Sequence, residues 1–149
     1  MEYLNTITLK DTVEFTFPIT HGKVVKVYDA DTITVAFKLP YDSSPIYREN
    51  VRLFGIDAPE IKGKSEEEKI MAKEARDYLS SIILGKIIRL EIIHDNKEKY
   101  GRILAKIYHT VNGVETCLND LLIEQRYVIR YDGGTKVKPE SWFSFRQNK

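Results

Sequence analysis

The segment VRLFGIDAPE, residues 51–60, constrains the fold more than any other stretch of the chain. Its apolar residues are typical of a buried strand, yet Arg52 lies near its start and Asp57 and Glu60 lie near its end. In a regular strand the side chains of Arg52 and Asp57 would point to opposite faces, roughly 16 Å apart. Gly55 lies between them and permits a bend or a bulge. If the two charged groups serve one site, the strand must be irregular within a residue or two of Gly55.

Pro59 predicts where this strand ends. Proline has no backbone N–H and pushes Ala58 toward an extended conformation, so pairing should stop at Asp57. The Ala58 carbonyl would then have no partner in the sheet. A carboxylate from Asp57, this carbonyl and a carboxylate from another loop form a set of hard oxygen ligands suited to Ca²⁺. Taken alone, Glu60 is interpreted as an ordinary solvated acid in a loop.

A second acidic segment, Asp29-Ala-Asp31, separates two alternating strands at residues 23–28 and 32–37, which is typical of a β-hairpin. If the strand continued unbroken, both carboxylates would lie on the apolar face, where an unpaired charge is costly. Either a turn breaks the alternation or a cation compensates for the charge. Read alone, the segment favours a simple turn, because Asp accepts turn geometry readily.

The rest of the pattern predicts a small barrel. Ser65 and Glu68 form a capping box, and apolar residues follow at helical spacing as far as Gly85. Further strands are expected at residues 86–93 and 102–108, and shorter helices at about 117–125 and 139–145. Five strands with one long helix between the third and the fourth are typical of an OB-fold barrel, a mainly β fold of the α+β class. Residues 1–21 are expected to form an N-terminal extension with an added strand at 13–17, and residues 22–149 the domain itself.

Composition narrows the class of protein. A chain of 149 residues is long enough for one core. Its net charge of +1 gives no overall attraction to nucleic acid, so any such binding must be local. The three scattered histidines and the single Cys117 disfavour a zinc site or a disulfide. The absence of a signal sequence and of a long apolar run predicts an intracellular protein.

The segment Lys99-Tyr-Gly-Arg102 is the third charged feature. Gly101 indicates a tight backbone, and Arg102 would project from the start of a strand. Taken alone, it is compatible with an ordinary turn that carries a surface arginine. The planar guanidinium binds phosphate oxygens with two hydrogen bonds and stays charged, so Arg52 and Arg102 together suit a phosphate group.

Residues 29–32, 52–60 and 99–102, in this order and with the capped helix between the second and third, resemble the staphylococcal nuclease (thermonuclease) family. The resemblance covers about residues 22–131. It implies an OB-fold nuclease that uses one Ca²⁺ ion and cuts phosphodiester bonds of DNA and RNA to leave 3′-phosphate ends. The sequence departs from the family at Arg126, where a glycine is usual, and in a final helix shortened to about residues 139–145.

The resemblance also implies roles for individual residues. The carboxylates of Asp31 and Asp57 and the carbonyl of Ala58 would bind the metal. Glu60 would be the general base that acts on a metal-associated water. Phosphate binding would fall to Arg52 and Arg102, and nucleotide binding to Lys99, Tyr100, Leu104 and Tyr131.

The alternative is a non-catalytic nucleic-acid-binding or protein-binding module on the same barrel. Such a module would not need two arginines and three acids at these places, and all five are present, so the sequence favours the enzyme. We expect single-stranded DNA or RNA as the substrate. No membrane association and no obligate protein partner are expected, and the chain is expected to be a monomer.

Overall fold

A computed structural model describes residues 1–93 and 103–148 of the chain. In chain order the strands are β1 (His21–Asp29), β2 (Thr32–Lys38), β3 (Ile46–Leu53), β4 (Ile56–Asp57), β5 (Ile87–Ile92), β6 (Ile103–Val111), β7 (Val114–Cys117) and β8 (Ile129–Arg130). The α-helices are α1 (Glu66–Ile83), α2 (Leu118–Glu124) and α3 (Trp142–Gln147).

Five of the strands form a closed barrel. Strand β1 pairs antiparallel with β2 on one side and with β5 on the other, β2 pairs with β3, and β5 pairs with β6. A parallel pairing of β3 with β6 closes the barrel, while β4 and β8 form a separate small sheet. Helix α1 lies between the third and fourth barrel strands in the chain. The predicted α+β fold with an OB-type barrel is confirmed.

The barrel core follows directly from the alternation in the sequence. In β2, Ile33, Val35 and Phe37 are buried while the residues between them are partly exposed. Helix α1 presents Met71, Ala72, Ala75, Leu79 and Ile83 to the interior, at the spacing that puts them on one helical face. No helix among residues 1–93 and 103–148 is long and apolar enough to cross a membrane.

The start of α1 departs from the predicted capping box in one respect. Ser65 Oγ accepts a hydrogen bond from the Glu68 amide at 3.1 Å, as predicted. The Glu68 carboxylate, however, accepts from the Glu60 amide at 2.9 Å. It therefore ties the loop that follows β4 to the helix.

The predicted added strand at residues 13–17 is wrong. The N-terminal segment contains two 3₁₀ helices, Glu2–Thr6 and Leu9–Asp11, and no strand before His21. Val13 is 93% exposed and Phe15 is 78% exposed. The reason lies in the barrel: β2 and β5 occupy both edges of β1, so a preceding strand has no free edge beside it.

Arg126 lies at the position where the family that the sequence resembles usually has glycine. Its φ is 60°, which lies in the left-handed region where helices often end on a glycine. The Arg126 side chain donates to the Phe145 carbonyl at 3.3 Å, and its guanidinium lies 4.8 Å from the centre of the Phe145 ring. The arginine thus holds the short helix α3 against the end of α2.

Asn119 is a buried polar residue that links α2 to the barrel. Its Nδ2 group donates to the carbonyls of Phe54 and Ala105, at 2.9 and 3.2 Å, and its Oδ1 accepts from the Ile107 amide at 3.0 Å. The side chain is 2% exposed. These bonds anchor the turn that follows β3 to strand β6.

Replacing Asn119 should destabilise the fold. The substitution Asn119→Ala leaves buried backbone groups without partners, and we expect the free energy of unfolding to fall by about 3 kcal/mol. Urea denaturation measures this value. The control Asn5→Ala, at an exposed position, should change it by less than about 0.5 kcal/mol. Equal stability of the two variants would contradict this role for Asn119.

Candidate functional site

The chain turns sharply between β3 and β4, and this turn brings Arg52 and Asp57 together. Gly55 has a φ of 81°, a conformation that L side chains rarely adopt. Beyond it β4 runs in a new direction and pairs with β8. Arg52 Nη2 consequently lies 3.5 Å from Asp57 Oδ1. The predicted irregularity at Gly55 is confirmed.

Two backbone hydrogen bonds fix the turn. The Phe54 amide donates to the Ala105 carbonyl at 2.8 Å, and the Tyr131 amide donates to the Gly55 carbonyl at 2.9 Å. The bend is therefore held by β6 on one side and by the residue after β8 on the other.

The connection from β1 to β2 supplies the second acidic group. The Asp31 amide donates to Asp29 Oδ1 at 3.0 Å, which forms a tight turn. Asp29 and Asp31 are nonetheless only 8% and 7% exposed. Asp31 Oδ2 accepts from the Ala58 amide at 2.8 Å, and Asp31 Oδ1 accepts from the Thr32 hydroxyl at 2.9 Å. The turn and the burial of charge, which the sequence presented as alternatives, occur together.

The Arg52 guanidinium lies between the two carboxylates. Its Nη1 is 3.5 Å from Asp31 Oδ2, and the same nitrogen donates to the Leu53 carbonyl at 3.1 Å. Arg52 is itself 8% exposed. One buried cation therefore faces Asp31 and Asp57 at the end of the barrel strand.

The charge of this cluster is not balanced by Arg52 alone. Burial, together with the nearby charge of Asp31, raises the pKa of Asp29 to about 8. Burial also raises the pKa of Asp57, although Lys136 and Arg52 act in the opposite direction. Asp57 Oδ2 is buried and has no hydrogen-bond partner. The unpartnered Asp57 Oδ2 therefore leaves one carboxylate oxygen free to bind an added cation.

The ligand chemistry suits a hard divalent ion. Carboxylate and carbonyl oxygens are the ligands that Ca²⁺ takes, with water completing the set. In the part of the chain that the structure describes, no three carboxylate, imidazole or thiol groups are placed to hold one metal ion. Asp31 and the unpartnered oxygen of Asp57 are the side-chain ligands that fit. Ala58 contributes its amide to Asp31, and a metal-binding role for its carbonyl stays a prediction.

Two lysines that the sequence did not single out contact the predicted site acids. Lys136 Nζ lies 3.2 Å from Asp57 Oδ1. Lys138 Nζ lies 3.4 Å from Glu60 Oε1 and 3.3 Å from Glu68 Oε2. Residues 126–149 are rich in basic side chains, but nothing in their spacing indicates that two of the lysines fold back onto acids far earlier in the chain.

Glu60 lies next to the cluster but outside its contacts. It follows Asp57 by three residues, and its side chain is 53% exposed. Its amide is held by Glu68, and its carboxylate pairs with Lys138 rather than with Arg52. The structure therefore brings Asp31, Arg52 and Asp57 together, with Glu60 at the rim.

The predicted nucleotide-binding residues are only partly described. Leu104 is the cross-strand partner of Arg52 in the parallel pairing of β3 and β6, and it is half-buried. Tyr131 is tied to Gly55 through its amide, and its hydroxyl donates to the Gly134 carbonyl at 2.9 Å. The other predicted residues, Lys99, Tyr100 and Arg102, lie outside the described residues.

Removing the central cation should destabilise the protein. The substitution Arg52→Met leaves Asp31 and Asp57 facing each other without the guanidinium, so the free energy of unfolding at neutral pH should fall by about 3 kcal/mol. Denaturant titration followed by circular dichroism measures the loss. The control Arg130→Met, at an exposed position of β8, should remain close to wild type. A stable Arg52→Met protein would show that the ion pairs are not structural.

Comparison of the sequence with known proteins matches the chain to a family. The sequence model of the family described as "Staphylococcal nuclease homologue" matches residues 50–140. This range includes Arg52, Asp57 and Glu60 but not Asp31. Asp31 contacts the matched region through the hydrogen bond from the Ala58 amide and the ion pair with Arg52.

Individual relatives agree with the family match. The chain is 31% identical over 86 residues to a "Thermonuclease" of Staphylococcus hyicus, an overlap of 58% of this chain and 47% of that protein. It is 35% identical over 88 residues to an "Uncharacterized endonuclease" of Escherichia coli, covering 59% of this chain and 48% of that protein. It is 29% identical over 104 residues to a "Probable endonuclease lcl3" of Pyrenophora tritici-repentis, covering 58% and 38% respectively. The chain thus spans about half the length, or less, of these relatives.

Proposed function

The chain belongs to the family of staphylococcal nuclease homologues, and we propose that it is a hydrolase that cleaves phosphodiester bonds of DNA or RNA. The observation that carries this proposal is the position of the Arg52 guanidinium, 3.5 Å from both the Asp31 and the Asp57 carboxylates at a buried corner of the barrel. The names of the thermonuclease and endonuclease relatives support the same activity.

The arrangement suits attack on a phosphodiester. Such a group is an anion that repels nucleophiles, and its transition state gathers more charge on the non-bridging oxygens. Arg52 can donate two hydrogen bonds to those oxygens, and Arg102 would be the second such donor. One Ca²⁺ ion, held by Asp31 and Asp57 with the Ala58 carbonyl, would supply further positive charge beside the phosphate.

Proton transfer is assigned to Glu60. In this proposal its carboxylate accepts a proton from the attacking water, the new bond forms between that water oxygen and phosphorus, and the bond from phosphorus to the 5′ oxygen breaks. The departing 5′ oxygen takes up a proton from solvent water, Glu60 later releases its proton to solvent, and a 3′-phosphate end remains. Lys138 lies 3.4 Å from Glu60 and would orient the carboxylate. Lys99, Tyr100, Leu104 and Tyr131 would hold the nucleotide.

A non-catalytic binding module is the second candidate, and one observation favours it. Lys136 and Lys138 pair with Asp57 and Glu60, so a proposed metal ligand and the proposed general base already have cationic partners from the chain. In a module that only binds, these pairs would persist. In an enzyme, the Lys136 ammonium would lie beside any metal ion bound to Asp57 and would repel it.

Cleavage of end-labelled single-stranded DNA and RNA, with Ca²⁺ or with a chelator, tests the proposal. We expect cleavage only with the metal, and products that shift on treatment with a phosphatase because they carry 3′-phosphates. The substitution Glu60→Gln should lower the rate by about 10²-fold or more, the usual contribution of a general base.

Glu14→Gln is the matched control, because Glu14 is an exposed acid in the N-terminal segment. Its rate should equal that of the wild type. If the folded wild-type protein cleaves neither DNA nor RNA with any divalent metal, yet binds them, the binding module is the correct function.

A further inference from the structure

The outer face of the sheet formed by β1, β2 and β3 carries a continuous set of basic side chains. The pairing register aligns Lys26 with Thr34 and Asn50 in one row across the three strands. The next row contains Lys23, Ala36 and Arg48, and the row beyond it pairs Lys38 with Ile46. These rows lie wholly within the described part of the chain, and they contain four basic residues and no carboxylate. We call this surface the basic face.

The basic side chains on this face are exposed. They are Lys23, Lys26, Lys38 and Arg48. Within the described residues none of them forms an ion pair, whereas Arg89 elsewhere on the barrel pairs with Glu115 at 2.7 Å. Glu49 belongs to the alternate row, opposite the buried Val35, so its carboxylate does not share this face. The positive charge is therefore available to an external anion.

The basic face leads directly into the proposed active site. Arg48, Asn50 and Arg52 are alternate residues of β3, so their side chains leave the same side of the strand. Thr32 is the cross-strand partner of Arg52, in the row that follows Thr34 and Asn50. With a rise of about 3.3 Å per residue in a β-strand, Arg48 lies about 13 Å from Arg52. A polyanion bound at Arg52 would reach Asn50 and Arg48 without crossing another element.

The face also offers an aromatic ring. Tyr28 is 43% exposed, and Lys26 Nζ lies 5.9 Å from the centre of its ring. Single-stranded nucleic acids bind where a positively charged groove follows the backbone and exposed aromatic rings stack on bases. Double-stranded nucleic acid would present its bases less readily to such a ring. The combination therefore favours a single strand.

We propose that the basic face binds the part of a single-stranded polynucleotide that extends away from the scissile phosphate. Lys26 and Arg48 contact its phosphates, and Tyr28 stacks on a base. This inference rests on the proposed function for the position of the scissile phosphate. Binding to the face itself requires no cleavage, so the two can fail separately.

Salt dependence of binding tests the contacts directly. Fluorescence anisotropy of a labelled single-stranded DNA of about 12 nucleotides, within the site size of an OB-fold, is measured in chelator over a range of salt. Each phosphate contact to a single strand contributes about 0.7 to the slope of log affinity against log salt. The double variant Lys26→Gln/Arg48→Gln should therefore reduce the slope by about 1.4. Tyr28→Leu should weaken binding with the slope unchanged.

The control variant removes the same charge from a different surface. Lys73→Gln/Arg76→Gln takes one lysine and one arginine from α1, away from the basic face, and should keep the wild-type slope. Circular dichroism confirms that each variant is folded. A slope lowered equally in both double variants would mean that only net charge matters, and it would overturn the proposal.

Cleavage kinetics provide a second readout. With single-stranded DNA of about 12 nucleotides as the substrate, the basic-face variant Lys26→Gln/Arg48→Gln should show a raised KM and an unchanged kcat. Its cleavage of a dinucleotide substrate, which reaches only Arg52, should also be unchanged. Absence of wild-type cleavage would refute the proposed function and leave the binding result to stand. If the wild type cleaves and the basic-face variant keeps the wild-type slope and KM, this inference alone is refuted. It is also refuted if the wild type does not bind single strands in chelator.

Discussion

The site depends on one conformational feature, the left-handed backbone at Gly55. Without it, β3 would continue and carry Asp57 away from Arg52. With it, the guanidinium faces Asp57 from one side and Asp31 from the other, at 3.5 Å each. The surrounding structure supports this arrangement: β6 and Asn119 hold Phe54, and Tyr131 holds Gly55. The barrel therefore acts as a rigid frame for one turn.

Three aspartates lie in a buried corner, where their negative charge is unfavourable unless positive charge lies nearby. A single arginine offsets part of this negative charge, and Lys136 from the C-terminal segment offsets another part by pairing with Asp57. The pKa values of Asp29 and Asp57 are nevertheless raised, chiefly because burial removes these carboxylates from water. A divalent cation bound in this corner would add positive charge beside the ionised carboxylates and lower their pKa values. Burial makes the folded chain costly to ionise, and in the proposed function this cost would favour the binding of a metal ion.

Local signals in the sequence predicted much of this, and distant contacts did not. The alternation of apolar residues, the Ser65 cap and the glycines at 55 and 85 act within a few residues, so the barrel, the long helix and the bend could be foreseen. The strand at residues 13–17 could not be judged locally, because it depends on whether β1 has a free edge. The partners of Glu68 and the positions of Lys136 and Lys138 depend on chain segments that meet only in the folded state.

The central claim is that the conformation of Gly55 creates the proposed active site, and the pair Gly55→Val and Gly113→Val tests it most directly. Both glycines have a positive φ, 81° and 80°, and an added Cβ would meet no atom within 4 Å at either, so in both variants the Cβ strains the backbone without a clash. Each should lose at least about 1 kcal/mol of stability. Under conditions where both are folded, cleavage of single-stranded DNA by Gly55→Val should fall about 10²-fold, since small displacements of catalytic groups have effects of that size. Gly113→Val, in the turn from β6 to β7, should cleave at the wild-type rate. A wild-type rate for Gly55→Val would contradict the account.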